Sequence, residues 1–388
     1  MTRDQAAGGG DRAGRQSPAR ALLLVGGGHA HVAVLADLAR RGVPAGAKVV
    51  LLTPEPGLHY SGMVPGWLAG QHGAGEGVVD LAGLAARAGV DLVLDRCTAL
   101  DPAARVVRTG GGAAIPFTLA SFDTGGEGRA KTLLGDDPRL IDVRPMSTLV
   151  ERLAVLRSSR PGLRRIIVVG GGAGGVELAF GLRNLAGAPA PPHVTLATGA
   201  AGLLPGFAPA VRQRVMRALE RQGIALVAED VRFEGGALIA AASGSLEPAD
   251  CVIAALGSAA PGWVRAAGVA VDAGGFLLVD AQQRSTSHPH IFAAGDVAAR
   301  ADRPLARSGV HAVMAGPVLA ANLRAVLLGK EPPRCYRPRR HSLQLLNTGD
   351  GSAIASYGPL AAEGRWVLAL KHRIDKGWIA KYAGQARA

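Results

Sequence analysis

Aromatic residues make up only 4% of this 388-residue chain, and its cysteines number three: Cys97, Cys251 and Cys335. They lie far apart and form no C-x-x-C pair, which excludes a local redox dithiol and fits a reducing, cytoplasmic setting. No stretch reaches the roughly 18 uninterrupted apolar residues that a membrane span needs. The first twenty residues also lack an apolar run, so 1–20 reads as a loose tail and not as a secretion signal. Acidic residues are in deficit, 30 against 43 Lys plus Arg, and the net charge of +13 attracts anions such as nucleotides, acidic lipid or nucleic acid. The basic residues are spread along the chain apart from RCYRPRRH at 334–341. Neither zinc-finger spacing nor an aromatic RNA-binding motif accompanies them, which argues against nucleic acid.

What is present calls for a large core. Hydrophobic residues reach 48% and charged ones 19%, the balance of a globular protein, and the length suggests two domains. Fifty-five glycines occur, many in clusters, and glycine admits close backbone approach to a ligand. One short pattern appears twice: an apolar strand, three glycines, then an apolar segment of helical length. LLLV at 22–25 precedes Gly26, Gly27 and Gly28, and RIIVV at 165–169 precedes Gly170, Gly171 and Gly172. Second strands follow in KVVLLT at 48–53 and HVTL at 193–196. These read as two βαβ units whose strands are buried on both faces of parallel sheets. Residues 90–94 give another strand, 98–117 a hairpin with Gly110, Gly111 and Gly112 in its turn, and 149–156 a helix leading into the second unit. CVIAAL at 251–256, then 276–279 and 291–294, supply later strands. From Pro332 onward the composition changes to Arg, Pro and aromatics, which marks a separate C-terminal segment.

In the second turn Gly170, Gly172 and Gly175 stand at G-x-G-x-x-G spacing. The first glycine permits the tight turn, the second lets the backbone approach a pyrophosphate, and the third allows close packing of helix on strand. The first turn offers Gly26 and Gly28 but places His31 third. Its imidazole is expected either to point away from the sheet or to hold the helix slightly off it. Two such units suggest two dinucleotides face to face, as electron transfer from a nicotinamide to a flavin requires. A third motif, TSHPHIFAAGD at 286–296, ends a buried strand in Gly295 and Asp296, whose carboxylate suits polyol hydroxyls or a helix cap. The H-x-H pairs at 29–31 and 288–290 have poor chelating spacing on a helix, and no metal site is expected.

With both turns, DCVIAALG at 250–257 and IFAAGD at 291–296, the chain resembles the FAD-dependent pyridine nucleotide-disulfide oxidoreductases over about residues 21–328. VGGGHAHV, HYSGMVPGWLAG, LNTGDGSAIASYG and KHRIDKGWIAKY look similar to type II NADH dehydrogenase-like flavoproteins, with sulfide:quinone oxidoreductases nearby, and to the flavoprotein module fused to selenide, water dikinase. The resemblance implies an α/β fold of two Rossmann-like domains, the NAD(P)-binding one inserted in the FAD-binding one, plus a small C-terminal α+β segment. It divides the chain into 21–148 and 265–330 for FAD, 149–264 for NAD(P)H, and 331–388 for an interface or membrane-facing segment. FAD as cofactor, NAD(P)H as co-substrate and a quinone-like or other small acceptor follow from it. A redox sensor with little turnover and a sulfide- or selenium-linked flavoprotein are the alternatives.

The same resemblance implies the site. Gly26, Gly28, His29 and Ala30 would meet FAD at the first turn, and Asp296, beside Gly295, the ribitol. Tyr60, Met63 and Pro65 would pass beside the isoalloxazine ring, while Gly309 and Val310, opening a helix, would aim N–H groups at its pyrimidine edge. Gly170, Gly172, Gly175 and Gly257 would hold the nicotinamide dinucleotide, with Glu177 as the acid that relatives carry near the nicotinamide. Cys97 is counted among the cofactor-binding residues, and the sulfide alternative would need reactive thiols among Cys97, Cys251 and Cys335. The acids expected at the ends of the second strands are missing. Thr53 takes the first place with Glu55 two residues on, Ala197 and Thr198 the second, so NADH versus NADPH stays open. FDTGG at 122–126 departs from the family's Ala-Thr-Gly close.

Near the C-terminus Trp366, Leu370, Ile374, Trp378 and Tyr382 recur every four residues, with Lys371, His372, Arg373, Lys376 and Lys381 on other faces. A helix over 366–382 of this kind suits peripheral contact with acidic lipid on the inner face of a membrane, or packing on the flavin domain or on a second copy in a homodimer.

Overall fold

The computed structural model describes residues 20–73, 75–158, 163–246 and 248–383; apart from Arg20, the tail expected at 1–20 lies outside them. Strand β1 (Arg20–Val25) leads through its glycine turn into α1 (His29–Arg41), β2 (Ala47–Thr53), a short α2 (Val64–Leu68), β3 (Asp91–Leu94) and β4 (Leu119–Phe122). A second series follows: β5 (Leu140–Asp142), α3 (Met146–Ser158), β6 (Arg165–Val169), α4 (Ala173–Arg183), β7 (His193–Ala197), α5 (Pro209–Gln222), β8 (Ala225–Val227) and β9 (Cys251–Ala254). The chain returns to the first unit in β10 (Ile291–Ala293) and α6 (Gly309–Leu327), then closes with β11 (Gln344–Asn347), β12 (Ala353–Tyr357), β13 (Leu360–Gly364) and α7 (Arg365–Ala383).

Two parallel five-stranded sheets result, ordered β10-β4-β1-β2-β3 and β5-β9-β6-β7-β8. Each puts the strand that carries the glycine turn at its centre, where both faces are covered, and this is why those strands read as unbroken apolar runs. The registers match: Val25 lies beside Phe122 in the first sheet and Val169 beside Ala254 in the second. Because β5 pairs with β9, the second sheet begins at Leu140, ahead of the boundary expected at 149; a three-residue strand is too short for its pattern to show. The hairpin expected at 98–117 is three antiparallel strands, with the triple-glycine turn joining the last two.

Helix α6 packs closely on α1, since a side chain at Gly316 would meet Ala30 and Ala33. Arg324 of α6 reaches Asp37 of α1 at 2.7 Å and the Gly42 carbonyl at 2.8 Å, a buried ion pair with its lone pairs used. By length and composition α6 could cross a membrane, yet more than half of it is buried against the rest of the fold. The C-terminal segment spans both units. Leu346 and Ile354 join the core of the second, and Tyr382 with Trp378 joins that of the first.

Candidate functional site

In the first turn Gly26 adopts φ +92°, and a side chain there would strike the backbone of Asp123 and Thr124. Its N–H donates to Leu52 O at 2.7 Å, and Gly28 N–H to Asp123 O at 3.2 Å. The Asp123 carboxylate lies inside the start of α1, where Oδ2 accepts from the N–H groups of Ala30 (2.7 Å) and His31 (3.0 Å). Two of the donors a helix start leaves orphaned are thereby satisfied from a neighbouring strand's end. Burial, joined by the nearby Asp296, pushes the Asp123 carboxyl up to about 7 against the pull of those two N–H groups. The N–H of Ala30, a residue expected at FAD, is donated to Asp123. Among the described residues nothing accepts from the His29 N–H.

His31 neither points away nor holds the helix off. Its fully buried ring lies 2.6 Å by Nδ1 from Gly26 O and 2.8 Å by Nε2 from Ser121 Oγ. A carbonyl only accepts, so Nδ1 carries the proton and Nε2 accepts from the Ser121 hydroxyl. Burial lowers its pKa to about 4, which keeps the ring neutral. The expectation failed because it counted only glycine as able to fill this place; Ser121 on β4 supplies both the room and a partner.

The second turn repeats the backbone with different walls. Gly170 N–H donates to Ala197 O at 2.7 Å, and Ala255 N–H to Val169 O at 2.7 Å. Ala255 stands where Asp123 does and Ile253 where Ser121 does, by the matched registers. A Cβ at Gly175 would overlap the Gly170 carbonyl, so this third glycine is obligatory. A Cβ at Gly172 would meet nothing within 4 Å, so the cradle in front of α4 is open. Gly257 follows Ala255 at φ +75°.

A third region joins both units to α7. Glu177 of α4 accepts from Asn347 N–H at 2.9 Å and lies 3.6 Å from Lys371 Nζ, which is 3.2 Å from Asp375. Burial pushes both carboxyls up, while the two of them hold the buried Lys371 ammonium charged against its own desolvation. Burial, joined by the nearby Asp375 carboxylate, raises the pKa of Tyr60. Its ring stacks on Trp378 at 4.7 Å, with the His29 ring 5.5 Å from Tyr60 and 5.3 Å from Trp378. His29 Nε2 and Trp378 Nε1 are buried without a protein partner. Lys371 was expected on a face other than the apolar stripe. The acids Glu177 and Asp375 draw it inward instead, and the apolar stripe splits into an exposed Trp366 and Ile374 and a packed Trp378 and Tyr382.

The remaining site residues fall into separate places. Gly295, Asp296, Gln283, Ser308, His311 and Tyr336 line one cavity of about 460 Å³ at the start of α6. Asp296 pairs with Arg144 at 2.6 Å, His311 Nδ1 lies 2.9 Å from the Tyr336 hydroxyl, and Gln283 Oε1 is buried with no protein partner. A side chain at Gly309 would meet nothing, and Val310 is exposed, so this helix start is accessible. Glu55 accepts from Ser147 at 3.1 Å and ties β2 to α3. Met63 is buried, and the Pro65 backbone abuts Gly181 of α4, so of this loop Tyr60 alone joins the aromatic cluster. Cys97 sits in the hairpin with its thiol pushed up to about 12 by burial, as is that of Cys251, which leaves neither a ready thiolate. Sequence reasoning missed Ser121, Arg144, Gln283 and Asp375, and passed over Asp123 although FDTGG had marked its position as unusual.

An open glycine cradle at the second turn, two helix starts without side-chain caps of their own, and buried polar atoms awaiting a partner fit two dinucleotides in a two-domain oxidoreductase. The family model "Pyridine nucleotide-disulphide oxidoreductase" matches residues 20–316, and the chain belongs to that family. It is an FAD-dependent enzyme with NAD(P)H as co-substrate. Among solved structures it is similar to the sulfide:quinone oxidoreductase of Aquifex aeolicus, with TM-score 0.74, 18% identity, and coverage of 95% of this chain and 92% of that one. Putidaredoxin reductase in covalent complex with putidaredoxin gives TM-score 0.70 and 22% identity over 88% of this chain and 82% of that one. An engineered water-forming NADPH oxidase, a mutant of LbNOX bound to NADPH, gives 0.72 and 20% over 87% and 75%. At these identities the likeness is one of fold. None of the curated proteins compared with the chain matches it.

Proposed function

We propose that this enzyme takes electrons from a nicotinamide held at the second turn and passes them, through FAD held by the first unit, to a small quinone-like acceptor. FAD, when bound, supplies the redox centre that accepts two electrons from NAD(P)H and returns them to the acceptor. Gly26, Gly28 and His29 would face its pyrophosphate, Asp296 and Arg144 its polyol, and Gly309 and Val310 its ring edge. Gly170, Gly172 and Gly175 would receive the nicotinamide dinucleotide.

The observation that carries the reading is the convergence of Tyr60, Glu177 and α7 on one buried polar cluster between the two units. Glu177 and Asp375, both raised by burial, are the acids of this cluster, and Lys371 Nζ lies 3.6 Å from the first and 3.2 Å from the second. Tyr60 and Trp378 form the aromatic wall against which a flat acceptor would lie. The protein's role is to bind, orient and exclude water around the redox centre and to supply protons to the reduced acceptor.

Anaerobic titration tests this. The purified yellow protein should bleach with NADH or NADPH and recover its colour with a quinone, and Glu177→Gln should slow the recovery about tenfold or more without changing flavin content. Flavin that stays oxidised under excess of both nicotinamides would sink the proposal in favour of a sensor with little turnover. Recovery with a ferredoxin-type protein and not with quinones would move the acceptor to that class.

A further inference from the structure

We infer that the nicotinamide this enzyme selects is the 2′-phosphorylated one, NADPH, and that Arg212 and Arg217 of α5 are the residues that recognise the extra phosphate. The inference rests on the reading of the second turn as the nicotinamide site. Strand β7 ends at Ala197 and the chain runs on through Thr198, Gly199 and Ala200, with no carboxylate where an NAD-selecting acid would bind the ribose 2′-hydroxyl and repel a phosphate. The Asp230 carboxylate approaches this loop but accepts from the Ala200 N–H at 3.1 Å, which uses it to hold the loop's shape.

The loop is fastened to the turn itself. Leu204 N–H donates to Gly171 O at 2.7 Å, and a side chain at Gly171 would run into the Gly202 carbonyl and Thr198. Ala201, Gly202 and Leu203 of this loop line a hollow of about 790 Å³ together with Pro209, Arg212, Gln213 and Arg217 of α5. The hollow therefore adjoins the place where the adenosine end of a dinucleotide on this turn must emerge.

Its charge is set up for an anion. Among the described residues neither Arg212 nor Arg217 has a carboxylate within ion-pair distance; Arg212 spends one N–H on Phe207 O at 3.0 Å and keeps the rest of its fork. The start of α5 faces the same space with no acid in its first turn and no side-chain cap, so the positive end of its dipole adds to the two guanidinium groups. Glu220, the acid of this helix, lies in its last turn, away from that end.

Calorimetric titration of the purified flavoprotein with 2′,5′-ADP and with 5′-ADP tests the inference without any turnover. The former should bind at least about tenfold more tightly, as charge-assisted contacts from two arginines require. The double variant Arg212→Ala, Arg217→Ala, both at the helix surface, should bring the ratio to about one and leave 5′-ADP binding unchanged. Equal affinities in the unaltered protein, or a ratio that survives the double substitution, would overturn the inference and leave the nicotinamide site standing. If neither ligand binds and Gly172→Asp alters nothing, the assignment of the second turn fails and the inference with it.

Discussion

Gly26 and Gly170 both donate at 2.7 Å, to Leu52 and to Ala197, and Asp123 and Ala255 return bonds at 2.8 and 2.7 Å to Val25 and Val169. The two turns share a backbone. Among the side chains at which they part, His31, Ser121 and Asp123 in the first are Gly175, Ile253 and Ala255 in the second. The polar set engages the Ala30 and His31 N–H groups of its own helix start and fills its own third position, and among the described residues nothing accepts from the His29 N–H. The glycine and apolar set leaves the start of α4 uncapped and its cradle open. On the assignment proposed above, the first turn would serve the resident FAD and the second a nicotinamide that leaves at every turnover.

Substitutions that exchange the two sets break the comparison most severely. Gly175→His would drive its Cβ into the Gly170 carbonyl and give the ring Ile253 instead of a serine to bond. Nicotinamide-driven flavin reduction should fall by about 100-fold or more, and the second unit should lose roughly 4 kcal/mol, measured by stopped-flow absorbance and chemical denaturation. In the first unit His31→Ala leaves Gly26 O and Ser121 Oγ unpaired and opens a cavity; a loss of roughly 3 kcal/mol in the same denaturation experiment is expected.

The titrations separate the turns further. The folded pKa of His31, about 4, lies below its ordinary 6.5. Its neutral packing thus contributes stability that is complete above pH 6.5 and is lost as pH falls towards 4, on the order of 2–3 kcal/mol. His31→Gln, which cannot titrate, should show a flatter acid limb in stability measured from pH 7 to 4. Asp123 has the opposite sign. Its folded pKa near 7 lies above 3.8, so its protonated form contributes below pH 3.8 and that contribution fades as pH rises to 7. Asp123→Asn removes a charge the fold must otherwise bury, and at pH 8 should raise the stability of the flavin-free protein by about 1 kcal/mol.

Much of this was legible in the sequence. Apolar strands ending in glycine triplets announced both sheets because a central parallel strand, buried on both sides, has no polar alternation to obscure it. Gly170, Gly172 and Gly175 were readable because each answers a backbone demand that no other residue meets. The pairing of His31 with Ser121 was not, since the two are far apart in the chain and each alone reads as ordinary. Lys371 and Asp375 were hidden for a similar reason. On an amphipathic helix with a basic face they look solvated, and only the arrival of Glu177 from another domain makes their burial affordable. The three-residue β5 was too short to carry a period, which displaced the expected domain boundary.

Gly172→Asp tests the division of labour between the turns most directly, because a side chain there meets no protein atom and a carboxylate would occupy the open cradle. In one anaerobic titration of the purified variant, FAD content should remain at the unaltered level while reduction by nicotinamide is lost. A variant that sheds its flavin, or one that is still reduced at the unaltered rate, would contradict the account.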